Sequence, residues 1–219
     1  MNFLSHYYLD RIKNNHYYNA GLTLPDLLGF HKGRIRLTEK TILQLQNLNM
    51  NNDLLNGMRA HLKLDKKFHT SDFFKKNTLL LQSMFEANTQ HNLSHFNCHI
   101  ILEMLIDKFI LHRNPEIAKE FYEVYSHIDF NVITSTFISL NDFNKQNMFD
   151  LLTRFSQSSY IGEYINISAI INISNIVSKK FNKGNNQLDR DNTKVFQDFY
   201  NQIENEISIL LAENKSAEI

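Results

Sequence analysis

Pro25 and Pro115 are the only prolines in a chain of 219 residues, and six glycines complete its set of strong backbone breakers. Proline and glycine interrupt regular backbone more than any other residue, so segments rich in Leu, Ile, Asn, Lys and Phe run on without an obligatory turn. Long helices are the expectation. With 42% hydrophobic residues the chain can bury one substantial core, and nothing in its composition forces a split into two domains. We therefore expect an all-α fold, a single-domain multi-helix bundle over residues 1–213 with a frayed tail at 214–219.

Patterning and turn chemistry divide the chain further. Short helices are expected over 2–10 and at the end of GLTLPDLLGF (21–30), where Pro25 suits a first helical turn, with HKGRIR (31–36) as a basic loop. Helices then follow from Glu39 to about Leu48, from Asp53 to about 69, and through SDFFKKNTLLLQSMFEA, capped by Thr70 or Ser71. The next covers about 92–112 and stops ahead of Pro115, which opens PEIAKEFYEVYSHI. Later helices are expected at 130–141, 145–157, 158–182 and 190–213, with KGNNQLDRDN (183–192) as a loop and ENKSAEI as the tail. The segment 158–178 is too polar for a membrane span and reads as a core helix.

One of these helices poses a chemical problem. HIILEMLIDKF (99–109) is apolar nearly all round, as a buried helix is, yet carries His99, Glu103 and Asp107 at four-residue spacing. Positions i, i+4 and i+8 spread over only about 80° of the circumference, so the three form one narrow stripe. An unpartnered buried carboxylate costs at least several kcal/mol, so a cation or a set of donors must compensate it. A second stripe repeats the spacing: His61, Asp65 and His69 in HLKLDKKFH, with Asp72 beyond. Histidine and carboxylate at i, i+4 project from one face and can close on one ion, and such mixed nitrogen and oxygen donors suit Mn²⁺, Fe²⁺ or Zn²⁺. His6 near the start and Asp26 in TLPDL are further candidates.

Composition narrows the alternatives. The formal net charge is zero, so no global field attracts nucleic acid or an anionic membrane. Cys98 is the only cysteine, which excludes an intrachain disulfide and a cysteine-rich zinc site and suits a reducing, cytoplasmic setting. MNFLSHYYLDRIKNNHYY has no apolar run long enough for a secretory signal core.

The pieces MNFLSHYYL, GLTLPDLLG, GMRAHLKLD and HIILEMLIDKFIL, in this order and spacing, resemble the acyl carrier protein phosphodiesterase family, relatives of the HD-domain metal-dependent phosphohydrolases. The resemblance covers roughly residues 1–112, about half the chain. It implies an HD-domain-like helical fold, a divalent metal such as Mn²⁺, and hydrolysis of a phosphodiester, for instance release of phosphopantetheine from acyl carrier protein. It also implies that His6, Asp26, His61, Asp65 and Asp107 lie at the metal site, with Glu103 where the family has Asp. Zinc-dependent phospholipase C is a more distant resemblance of the same pattern.

There are departures. Lys108 stands where the family has His, and protonated lysine cannot ligate a metal. KFHTSDFF replaces the family's Phe-Thr-Asp-x-His-Pro, leaving His69 and Asp72 as substitutes, and the family's later Arg-containing helix is not recognisable in NISAIINISNIVSKKF. The expected machinery is an ion held by His61, Asp65, His99 and Asp107, with Asp26, and Lys108 or Arg59 as cations facing the reacting phosphate. Arg34 and Arg36 of the basic loop would dock an acidic partner such as acyl carrier protein. Two alternatives stand beside this: a non-catalytic helical relative in which Lys108 reaches back to neutralise the carboxylate stripe, and an interaction module in which the stripes are incidental.

Overall fold

The computed structural model describes residues 1–48, 50–89, 92–181 and 188–215, and among them the chain is all helical, without strands. Twelve α-helices follow in order: α1 (Phe3–Asp10), α2 (His16–Gly21), α3 (Leu24–Phe30), α4 (Glu39–Gln46), α5 (Asn52–Thr70), α6 (Asp72–Thr89), α7 (His95–Arg113), α8 (Ile117–Glu123), α9 (Phe130–Thr136), α10 (Lys145–Ser156), α11 (Ile167–Phe181) and α12 (Thr193–Asn214). None of them is long and apolar enough to cross a membrane. The residues group into two compact units that interleave along the chain.

The first unit comprises Met1–Ser5, Lys67–Pro115 and Tyr160–Lys215. Its centre is α7, which packs against α6, α11, α12 and the turn Gly162–Ile165. Ile101, Leu102, Leu105, Ile106 and Ile110 are fully buried there, as an all-round apolar helix requires. Ser94 opens α7 by accepting the Asn97 amide, and the Ser71 hydroxyl accepts the Phe74 amide 3.1 Å away to open α6.

The expected continuous helix over 158–182 is divided. Gly162–Ile165 forms a 3₁₀ turn, Asn166 is extended at φ −101° and ψ 123°, and α11 begins only at Ile167. Ile161, Tyr164 and Ile167 are all buried at a spacing of three, and a 3₁₀ turn eclipses i and i+3 onto one side. Packing, not propensity, sets that break. The helix expected over 130–141 ends at Thr136, ahead of a turn in which Asp142 takes φ 61°. The loop expected at 183–192 lies largely outside the described residues, which resume at Leu188, and so does the end of the tail after Lys215.

The second unit comprises His6–Lys66 and Glu116–Ser159. Here α2 meets α5 at backbone contact: a Cβ on Gly57 would stand 2.0 Å from the Tyr18 carbonyl oxygen, and one on Gly21 would stand 2.3 Å from that of Leu54. Gly57→Ala gains about 1 kcal/mol of helix propensity but must force two backbones apart, a cost of about 1–3 kcal/mol or more. The clash wins, so we expect Gly57→Ala to lower the melting temperature; an unchanged or higher value would show that the helices separate freely. Nearby, the Thr23 and Tyr125 hydroxyls share a hydrogen bond, and the Tyr125 ring packs edge-on against Phe121 and Phe155. The basic loop is anchored at its base, where buried His31 Nδ1 accepts the Gly33 amide and its Nε2–H donates to the Asn144 carbonyl.

Candidate metal centre

Two groups of chemistry-bearing side chains form among the described residues, each inside one compact unit. In the second unit His6, from α1, meets His61 and Asp65, from α5, and their ligand atoms lie within 4.8 Å of one another. Asp26, in the first turn of α3 just after Pro25, joins them with Oδ1 3.6 Å from His61 Nε2. The i, i+4 spacing on α5 sets His61 and Asp65 on one face, and the two short helices bring the other donors to it.

The protonation of this group follows from its partners. His61 Nδ1 lies 2.8 Å from the Leu22 carbonyl oxygen, so Nδ1 carries and donates a proton, and in the neutral ring the lone pair sits on Nε2, which faces Asp26. His6 stacks on His61 with ring centroids 3.8 Å apart and an interplanar angle of 21°. It is fully buried, and neither of its ring nitrogens has a hydrogen-bond partner, although Nε2 lies 3.4 Å from Asp65 Oδ1. Burial, followed by the neighbouring His61, pushes its pKa down to about 4 against the pull of Asp65. His6 is therefore neutral near pH 7, with a lone pair directed into a group of donors.

That donor set fits a divalent ion. It offers two imidazoles and two carboxylates, and neither nitrogen of buried His6 is taken up by a hydrogen bond within the protein. Leu22 supplies the backing carbonyl that metal-binding histidines commonly have. No residue pattern points to Leu22, because a backbone carbonyl becomes a partner only through the tertiary fold.

The first unit holds the other group: His69 from the last turn of α5, with His99 and Glu103 from α7. Burial pushes the Glu103 carboxyl up, but the Met1 amino group 2.9 Å away, with His99 and His69, outweighs it and holds Glu103 well below the usual carboxylate range. Buried Phe74 sets its ring edge-on to both imidazoles, at 4.9 Å and 5.1 Å.

The remaining expected residues stand elsewhere. Asp107 is fully buried but belongs to neither group: its carboxylate accepts the Leu4 amide at 3.2 Å, the Ser5 amide at 2.8 Å and the Ser5 hydroxyl. It satisfies the open first turn of α1, so its role as ligand or catalyst is corrected to that of a helix cap. Burial, countered by these donors, pushes its pKa up to about 7. The stripe on α7 thus divides after Glu103, as one more turn of helix carries Asp107 round to α1.

Lys108 does not reach the carboxylates either. Its ammonium donates to the Ile165 carbonyl and lies 5.3 Å from the centre of the Tyr200 ring, so the idea that it replaces a metal charge is corrected. Arg59 donates to Gln46 Oε1 at 2.7 Å and pairs with Glu39 at 3.7 Å, which removes it from the expected catalytic set. Asp72 is exposed at the start of α6. Comparison with protein-family models, with curated proteins and with solved structures gives no significant match.

Proposed function

We propose that this chain is a divalent-metal-dependent phosphohydrolase acting on a phosphodiester, with His6, Asp26, His61 and Asp65 holding the ion. The observation that carries the reading is buried His6, its nitrogens without a hydrogen bond, stacked on a His61 whose Nδ1 is held by the Leu22 carbonyl and whose Nε2 faces Asp26. The sequence resemblance to the acyl carrier protein phosphodiesterase family supports the reaction class. A divalent cation held by these residues would supply Lewis acidity, making water acidic enough to attack near neutral pH and drawing charge from a phosphoryl oxygen.

The chain's own residues orient and neutralise. His6 and His61 form the buried floor of the group, while the Asp26 and Asp65 side chains are 33% and 28% exposed, so substrate approaches from the carboxylate side. Arg34 and Arg36 are exposed on the basic loop of the same compact unit and suit an acidic partner such as acyl carrier protein. A reading as an interaction module with incidental stripes requires these groups to lie far apart, and His6, His61 and Asp65 converge within 4.8 Å.

The test uses the purified full chain, stripped with chelator and resupplied with Mn²⁺, Fe²⁺ or Zn²⁺, and assayed on bis(p-nitrophenyl) phosphate. Stoichiometric uptake and metal-dependent release of nitrophenol are expected. A chain that binds none of the three ions on titration is not a metal-dependent hydrolase.

A further inference from the structure

We propose that His69, His99 and Glu103 form a second divalent-metal site, with ligands wholly distinct from those of the His6 group and a preference for Zn²⁺. His69 Nε2 and His99 Nε2 are 2.9 Å apart, and Glu103 Oε1 lies 3.2 Å from the first and 2.8 Å from the second. These three atoms make a closed triangle that hydrogen bonds cannot complete. Each ring nitrogen carries at most one proton. If both protons point at the carboxylate, the edge between the nitrogens sets donor against donor. If one nitrogen is bare, its edge with the carboxylate sets lone pair against lone pair. A cation facing all three atoms satisfies every edge at once.

The dimensions agree. A tetrahedral ion with bonds of about 2.0–2.1 Å spaces its ligand atoms about 3.3 Å apart. The edges of 2.8, 2.9 and 3.2 Å need to open by only a few tenths of an ångström. Two imidazoles with one carboxylate are the donor set of open, catalytic-type zinc sites, and they disfavour Mg²⁺ and Ca²⁺, which take oxygen ligands. Phe74 and Phe68 wall the site with apolar rings. The His69 and His99 side chains remain 30% exposed, which leaves an open side for water or an added ligand. An ion here would tie the end of α5 to α7 within the first unit.

The experiment is a Zn²⁺ titration of the metal-stripped full chain against a chromophoric chelator. Two equivalents are expected for the unaltered chain, and one each for the double variants His69→Gln/His99→Gln and His61→Gln/Asp65→Asn. If His69→Gln/His99→Gln retains every equivalent that the unaltered chain binds, the second site does not exist. If the unaltered chain binds one equivalent that only His69→Gln/His99→Gln removes, the second site stands and the proposed phosphohydrolase centre fails. Should either variant lose its helical circular dichroism, the assignment is read on the unaltered chain from histidine ring resonances during Co²⁺ titration. Perturbed His69 and His99 rings support the site, and unperturbed rings overturn it.

Discussion

Replacing Asp107 with alanine should lower folding stability by about 3–5 kcal/mol, measured by urea unfolding with circular dichroism. The side chain is fully buried and receives the Leu4 and Ser5 amides and the Ser5 hydroxyl. Truncation leaves three donors facing a cavity, and each buried unsatisfied donor costs about 1–3 kcal/mol. A loss below about 1 kcal/mol would mean that α1 keeps its first turn without this cap.

The same carboxyl has a pH signature. Its folded pKa, raised to about 7, exceeds the ordinary carboxylate value of 3.8, so between those values the folded chain binds more protons than the unfolded one. Its contribution is therefore most favourable below about 4 and is lost as pH rises toward 7. His6 acts in the opposite sense: with its pKa lowered from 6.5 to about 4, the unfolded chain binds the extra proton and stability rises with pH across that window. In chelator-treated protein the two slopes oppose each other. Asp107→Asn should leave stability rising from pH 4 to 6.5, and His6→Gln should leave it falling. If both variants keep the parent's profile, these two groups do not govern it.

His61→Gln should abolish metal-dependent phosphodiester hydrolysis and weaken metal binding by more than about 100-fold, since loss of a group that only supports a ligand already costs about 10–100-fold. His61 joins the two histidines and the Asp26 carboxylate: it stacks on His6, faces Asp26 with Nε2 and is held in its tautomer by Leu22. Asp65→Asn keeps the shape of the second carboxylate but removes its charge, and should weaken binding as well. Both are read by metal titration and by turnover of bis(p-nitrophenyl) phosphate. Asp107→Asn and Arg59→Gln serve as contrasts, because neither residue touches the group. Unchanged metal affinity in His61→Gln would remove the proposed centre.

The scarcity of proline and glycine, together with caps such as Ser94 and Ser71, is local information, and it was enough for the helical class and for most helix limits. The four-residue spacing of His61 with Asp65, and of His99 with Glu103, is likewise local, because a helix places i and i+4 on one face whatever surrounds it. The break at Asn166 was not legible, since it depends on burying Ile161, Tyr164 and Ile167 together.

Tertiary structure decided which stripe members belong together. Eight residues that read as one metal site divide into two groups and a cap: α5 contributes His61 and Asp65 to one compact unit and His69 to the other, while Asp107 turns to the first amides of α1. Lys108, adjacent in sequence to Asp107, points about 100° away around the helix and meets Ile165 and Tyr200 instead. The sequence by itself determined which chemistry the chain carries and the helical spacing at which it is presented. Only the packing of distant segments decided which donors converge, because a side chain's partner across space is set by the fold and not by its neighbours in the chain.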